Sequence, residues 1–165
     1  MERSTLSGVA RGILRSDGPD RTRAIGRSLG RAAGAGAVLA LIGELGAGKT
    51  QLTKGIADGL DVRSVVNSPT FILMNEHTGR LRLFHIDAYR LGDPEEALTA
   101  GLLDDRQADG VLVIEWADRL DGWIPDERLE ITLHTPADDP SARLLSWEAR
   151  GEAHERLARE AMRSP

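Results

Sequence analysis

The sequence contains no cysteine, which excludes a disulfide framework and any thiolate metal site. Aromatics are scarce, with three Trp, two Phe and one Tyr, so each has to be weighed separately as core or as site. Positive charge is not in excess. The 21 Lys and Arg stand against 26 Asp and Glu, the net charge is −5 and the pI is near 5.4. That balance argues against a protein that binds nucleic acid strongly by itself through a broad basic face, while a local Arg patch stays open. No apolar run approaches the roughly 20 residues that span a bilayer. The stretch from Met1 to Arg15 mixes charges with scattered apolar residues and lacks the core of a signal peptide. These absences predict a soluble cytoplasmic protein without a membrane partner. Lysine is nearly missing as well: Lys49 and Lys54 are the only two, and every other basic residue is Arg.

One of those lysines lies in the most informative stretch of the chain. Gly43-Glu44-Leu45-Gly46-Ala47-Gly48-Lys49-Thr50 fits G-x-x-x-x-G-K-[ST], the phosphate-binding P-loop. Glycines let backbone N–H groups turn inward as an anion nest. The lysine ammonium reaches the terminal phosphates, and the threonine hydroxyl is placed for Mg²⁺. The flanks agree. Ala37 to Ile42 is a continuous apolar run suited to a strand buried on both faces. Leu52, Ile56, Ala57 and Leu60 follow at helical spacing, with Gly59 near the expected helix end. A compact, flexible ammonium is retained here in a chain that otherwise uses Arg.

Around this core, 165 residues make one domain of ordinary size. Residues 1–19 read as irregular or as a weak leading strand, and residues 20–165 as a single P-loop domain. Asp20 is a candidate cap for a helix running to about Ala33. Phe71 to Glu76 and Leu81 to Ile86 read as strands joined at Thr78-Gly79, an antiparallel pair. Asp93-Pro94-Glu95-Glu96 carries a helix-start pattern. Val111 to Ile114 is another buried strand. Arg128 to His134 alternates, with Leu144, Leu145 and Trp147 on a partner strand across Pro136 to Pro140. Glu152 to Met162 reads as a charged, solvated terminal helix. The expected class is α/β, a three-layer P-loop NTPase domain whose mostly parallel central sheet carries antiparallel additions and a C-terminal hairpin.

A P-loop enzyme also needs a carboxylate at a neighbouring strand end to hold Mg²⁺. Two strands end in one, at Asp87 and at Glu115. Glu115 follows the cleaner apolar run and is the preferred Walker B acid. Asp87 is either a second ligand or the group that polarises an attacking water. Ser68-Pro69-Thr70 lies where switch-type NTPases carry a loop that senses the γ-phosphate through a hydroxyl; an ordinary proline turn reads equally from these residues. His85, between Phe84 and Ile86, reads as a packed strand histidine. Trp116 should face away from Glu115 if the strand continues.

Together these pieces resemble one family. The P-loop, Ser68-Pro69-Thr70-Phe71, Phe84-His85-Ile86-Asp87-Ala88-Tyr89-Arg90-Leu91 with Asp93-Pro94-Glu95-Glu96, and Val113-Ile114-Glu115-Trp116 occur in the order and spacing of the TsaE (YjeE) family of bacterial ATPases. The resemblance runs from about Thr22 to Trp147. It departs from the family at Glu44, where Asp is frequent, and at His77, where an aromatic is frequent. What it implies is ATP and Mg²⁺ as ligands, with Gly43 to Thr50 on the nucleotide, Lys49 on the phosphates and Thr50 and Glu115 on the metal. Asp87 would be the second acid, Ser68 to Thr70 the switch, and Trp116 a neighbour of the magnesium acid. It further implies a role in making threonylcarbamoyladenosine on tRNA. There, weak ATP hydrolysis drives the partner proteins TsaB and TsaD through turnovers, and tRNA is met only through that complex. A small-molecule or nucleoside kinase is the alternative the P-loop equally allows, although no lid insertion is evident between Thr78 and Gly110.

Overall fold

The structure is a computed structural model, and it describes residues 9–67, 74–89, 91, 95, 105–120 and 122–163. Strands β1 (Ala10–Ser16), β2 (Val38–Gly43), β3 (Met74–His77), β4 (Leu83–Asp87), β5 (Val111–Glu115), β6 (Arg128–His134) and β7 (Arg143–Arg150) form one sheet in the order β1-β7-β6-β2-β5-β4-β3. Helices α1 (Pro19–Ala32), α2 (Lys49–Gly59) and α3 (Glu152–Ala161) complete a mixed α/β architecture. The β4–β5, β5–β2 and β2–β6 pairings are parallel; β3–β4, β6–β7 and β7–β1 are antiparallel. The sheet is thus evenly mixed rather than mostly parallel, because β1 extends the C-terminal hairpin by one more antiparallel strand. Among the described residues, no helix is long and apolar enough to cross a membrane.

Of the two readings of residues 1–19, irregular or a weak leading strand, β1 takes the second over Ala10–Ser16. All seven of its residues pair with β7. The strand is faint in sequence because three of its inward positions, Ala10, Gly12 and Ser16, are small and only Leu14 is a large apolar residue. A Cβ at Gly12 would stand 2.5 Å from the Trp147 ring, so the side chain that fills this part of the core comes from β7. The cap of α1 is also displaced. Gly18 is the cap residue, Pro19 takes the first turn, and Asp20 lies inside that turn, where its charge favours the helix dipole.

One face of the sheet receives all three described α-helices. Leu39 and Leu41 of β2, Val111 and Val113 of β5, and Leu129, Ile131 and Leu133 of β6 meet Ile25 and Leu29 of α1, Leu52 and Ile56 of α2, and Leu157 of α3 in one buried cluster. Val38, Ala40, Phe84, Ile86, Leu112 and Ile114 point to the opposite face, where they pack with Leu91, Leu120 and Ile124. The runs in β2 and β5 are continuous because both faces are covered. The terminal helix is not merely a solvated face: His154, Leu157, Ala158 and Ala161 are buried.

Helices α1 and α2 touch backbone to backbone. A Cβ on Gly30 would lie 2.1 Å from the Ile56 carbonyl oxygen, and one on Gly59 would lie 2.2 Å from that of Arg27. Gly26 and Gly55 make the same kind of approach one turn earlier, a small-residue pattern that permits close helix packing. Arg23 Nε donates to Asp58 Oδ2 at 2.8 Å across the seam. The helix that opens at Lys49 is therefore held rigidly, with its N-terminus at the carboxyl ends of β2 and β5.

Candidate active site

β2 runs between β5 and β6 and delivers Gly43 to Thr50 at the carboxyl edge of the parallel strands, the edge where open α/β sheets place their ligand sites. Gly46 and Gly48 adopt φ +79° and +104°, a left-handed conformation that favours glycine. Gly48 is the cap residue of α2, so the helix opens on Lys49 with its free N–H groups and positive dipole end beside the loop.

The parallel register of β4 and β5 sets Asp87 beside Glu115, on the same face as α2. Glu115 is 2% exposed and is held from two sides. Thr50 Oγ1 donates to its Oε1 at 3.0 Å, and the fully buried His85 donates from Nε2 to its Oε2. Asp87 Oδ1 accepts the Tyr89 N–H at 2.9 Å. Burial pushes the Asp87 carboxyl above its ordinary range, the Tyr89 hydrogen bond opposes this, and the nearby Glu115 charge adds to it.

Lys49 is 5% exposed. Its ammonium donates to the carbonyl oxygens of Gly43 and, at 2.9 Å, Glu44, and it lies 4.0 Å from the Trp116 ring centroid. Burial lowers its pKa, while Glu115, Asp87 and Asp118 pull it back up. Trp116 does not face away from Glu115 as strand alternation predicts. It has left the strand with φ +59°, which turns its indole toward Lys49. Tyr89 packs against it with ring centroids 4.8 Å apart and planes tilted by 43°, and the Arg119 guanidinium lies 5.2 Å from the Tyr89 ring. A cleft of about 450 Å³ opens beside the loop, between Gly43 to Leu45, Trp116, Asp118 and His134.

The structure thus brings together Lys49, Thr50, Asp87, Glu115 and Trp116. Ser68, Pro69, Thr70 and Phe71 lie outside the described residues, as does the expected helix start at Asp93, of which only Glu95 is described and helical. Two participants escaped sequence reasoning. His85 acts on Glu115; its only signal was its place two residues before Asp87 on a strand. Arg143, at the start of β7, reaches the P-loop from 97 residues away, donating to Ala47 O from Nε and to Gly46 O from Nη2 at 3.2 Å each.

Thr50, Glu115 and Asp87 present the hard oxygen donors that Mg²⁺ prefers, and too few of them to form a closed cage. This fits an ion whose other ligands are water and phosphate. Among the described residues no group of three or more His, Asp or Glu side chains is placed to hold a metal alone.

Comparison with known proteins shows the family. The family model described as "Threonylcarbamoyl adenosine biosynthesis protein TsaE" matches residues 16–144. The tRNA threonylcarbamoyladenosine biosynthesis protein TsaE of Bacillus subtilis is 41% identical over 150 residues, covering 90% of this chain and 92% of the relative. The protein of the same name from Streptomyces coelicolor is 38% identical over 71% of this chain and 81% of its own length. The crystal structure of YdiB from Bacillus subtilis superposes with a TM-score of 0.77 at 34% identity, covering 94% of this chain and 96% of that one.

Proposed function

The chain belongs to the TsaE family, and we propose that it is a magnesium-dependent P-loop ATPase that serves threonylcarbamoyladenosine formation on tRNA by acting on a TsaB–TsaD complex in the cytoplasm. The observation that carries the ATPase reading is the Thr50–Glu115–His85 chain of hydrogen bonds directly under the P-loop. It ties the first turn of α2 to the acid of the neighbouring strand, which is the arrangement a magnesium-bound triphosphate requires. The relatives' names supply the pathway.

In this reading the loop N–H groups and the N-terminus of α2 bind the phosphates. Lys49 leaves the carbonyl oxygens of Gly43 and Glu44 and neutralises the charge that develops on the terminal phosphates. Thr50 and Glu115 hold Mg²⁺, with Asp87 beside them. Bound there, the ion would supply positive charge to offset that of the phosphates. His85 fixes the direction of the Glu115 carboxylate, as partners of metal ligands do. Asp87, at the edge of the pair, also lies where it can orient the attacking water. Thr70, with Ser68 and Pro69, is the proposed sensor of the γ-phosphate. Hydrolysis moves the γ-phosphoryl group to water and releases ADP and phosphate.

The test is phosphate release from Mg-ATP by the protein alone and with purified TsaB and TsaD. Slow release alone and strong stimulation by the pair, both lost with Lys49→Ala, are the expected results. Absence of stimulation, with the partners shown to bind each other, overturns the motor reading. Phosphorylation of an added small acceptor would make the protein a kinase.

A further inference from the structure

Arg143 is the only described side chain outside the P-loop and α2 that donates hydrogen bonds to the loop's own carbonyl oxygens at Gly46 and Ala47. Nothing in the phosphate chemistry above uses it. Its guanidinium is itself held. Nη1 donates to Pro140 O at 2.8 Å and to Ala142 O at 2.6 Å, in the connection between β6 and β7. That connection is braced in turn. Asp139 Oδ1 accepts the Ser141 hydroxyl at 2.6 Å and the Ser141 N–H at 3.1 Å, and Asp139 Oδ2 accepts from Arg15 of β1 at 3.0 Å. One fork of fixed N–H donors thus spans four carbonyl oxygens, two of them in the loop. A planar guanidinium can do this and a lysine ammonium cannot.

The consequence lies in the peptide planes. In a trans peptide the N–H points opposite to its carbonyl. The Ala47 carbonyl faces Arg143, so the Gly48 N–H is aimed away from the guanidinium. The Gly46 carbonyl is turned the same way as that of Ala47, and the N–H of that peptide, on Ala47, closes the turn onto Glu44 O at 3.0 Å. Gly46 and Gly48 have the backbone freedom to take other orientations, so a loop without Arg143 has less to choose this one.

We propose that Arg143 is a positioning residue of the phosphate-binding loop, holding the Gly46 and Ala47 carbonyl groups so that the turn stays closed and the Gly48 N–H is preset for the phosphates of a nucleotide. This inference rests on the ATPase reading of the loop. It also ties the β6–β7 connection mechanically to the state of the loop, through the same guanidinium.

The experiment is calorimetric titration of the full chain with Mg-ADP and Mg-ATP, for the wild type, Arg143→Ala, Arg143→Lys and the surface control Arg150→Ala, with Tm recorded without nucleotide. Loss of two hydrogen bonds predicts binding weakened about tenfold or more in Arg143→Ala and by a smaller factor in Arg143→Lys. Arg150→Ala should bind as the wild type does. Millimolar guanidinium should restore part of the affinity of Arg143→Ala and leave the wild type unchanged. A wild type that binds and an Arg143→Ala that binds equally well overturn the inference alone. So does a weakening that guanidinium does not restore and that matches an equal loss of Tm in both variants; Arg143 then only fastens the hairpin. A wild type that binds neither nucleotide overturns the ATPase reading and this inference with it.

Discussion

The two ends of the parallel strands are each served by a buried histidine, and the two histidines hold different things. At the carboxyl end, His85 gives its Nε2 hydrogen to Glu115. At the amino end, His154 of α3 accepts the Val38 N–H at its Nε2, at 3.0 Å. The first ring orients a carboxylate beneath the P-loop. The second closes an open backbone donor at the start of the strand that leads to it. The Nδ1 of His85 is buried without a hydrogen-bond partner. The pair shows how one residue type holds a side-chain acid at one edge of a sheet and a backbone donor at the other, the difference being whether its partner is the Glu115 carboxylate or a peptide N–H.

The largest effect should come from the site end. Lys49→Ala is expected to cut turnover by about 10²–10³-fold and to abolish tight nucleotide binding. Its Tm without nucleotide should hold, because a buried ammonium on loop carbonyls is removed along with its desolvation cost. Unchanged hydrolysis in the partner complex would contradict the site assignment.

Asp87→Asn should come next, with turnover reduced about 10²-fold. Burial holds the Asp87 carboxyl above its ordinary pKa. The fold therefore binds its proton more readily than the unfolded chain does, and the charged form costs stability as pH rises. Asparagine removes that cost, so Tm at neutral pH should stay level or rise while activity falls. A drop in both together would mean the carboxylate is a structural group.

His85→Leu separates the two histidines directly. Freeing Glu115 from one of its two restraints should lower magnesium-dependent turnover about 10–100-fold, with nucleotide binding in the absence of magnesium largely kept. Titrating magnesium at fixed ATP reads this out: a raised metal requirement supports the orienting role, and an unchanged one contradicts it.

His154→Phe is the counterpart and the smallest change in function. Leaving the Val38 N–H unpaired should cost about 1–3 kcal/mol of stability and leave kcat of the surviving fold unchanged. The wild type carries a pH signature of the same contact. Burial lowers the His154 pKa from the ordinary 6.5, against smaller opposing pulls from Glu127 and the Arg150 carbonyl. The unfolded chain then binds the proton more readily, so this contribution is present above about pH 6.5 and is lost as the pH falls below it. Denaturant titrations from pH 7.5 to 5 should show that decline in the wild type and less of it in His154→Phe; equal slopes would remove His154 from the account.

Much of the site was legible in the chain because it is local. A P-loop is eight consecutive residues between an apolar strand and an amphipathic helix, and Asp87 and Glu115 each close a strand. Other features were illegible because their cause lies elsewhere in the chain. β1 reads weakly since Trp147 fills the space above Gly12. Trp116 was assigned to the wrong face because alternation assumes the strand continues, and the chain turns left-handed just after Glu115. The terminal helix looked solvated because its charges outnumber the few residues, Leu157 and Ala158 among them, that bury it against the core.

The sequence by itself determined the glycine-rich loop motif, the identity of its lysine and threonine, the two strand-end acids and the alternation of strands and helices around them, since all of these are written in short runs and periodicities. Only the tertiary structure decided which groups meet. His85 reaches Glu115 across 30 residues and Arg143 reaches Gly46 across 97, because parallel strands in register and a hairpin folded back beside them set those side chains at one edge. Contacts of that kind depend on the sheet order, which no local pattern in the chain encodes.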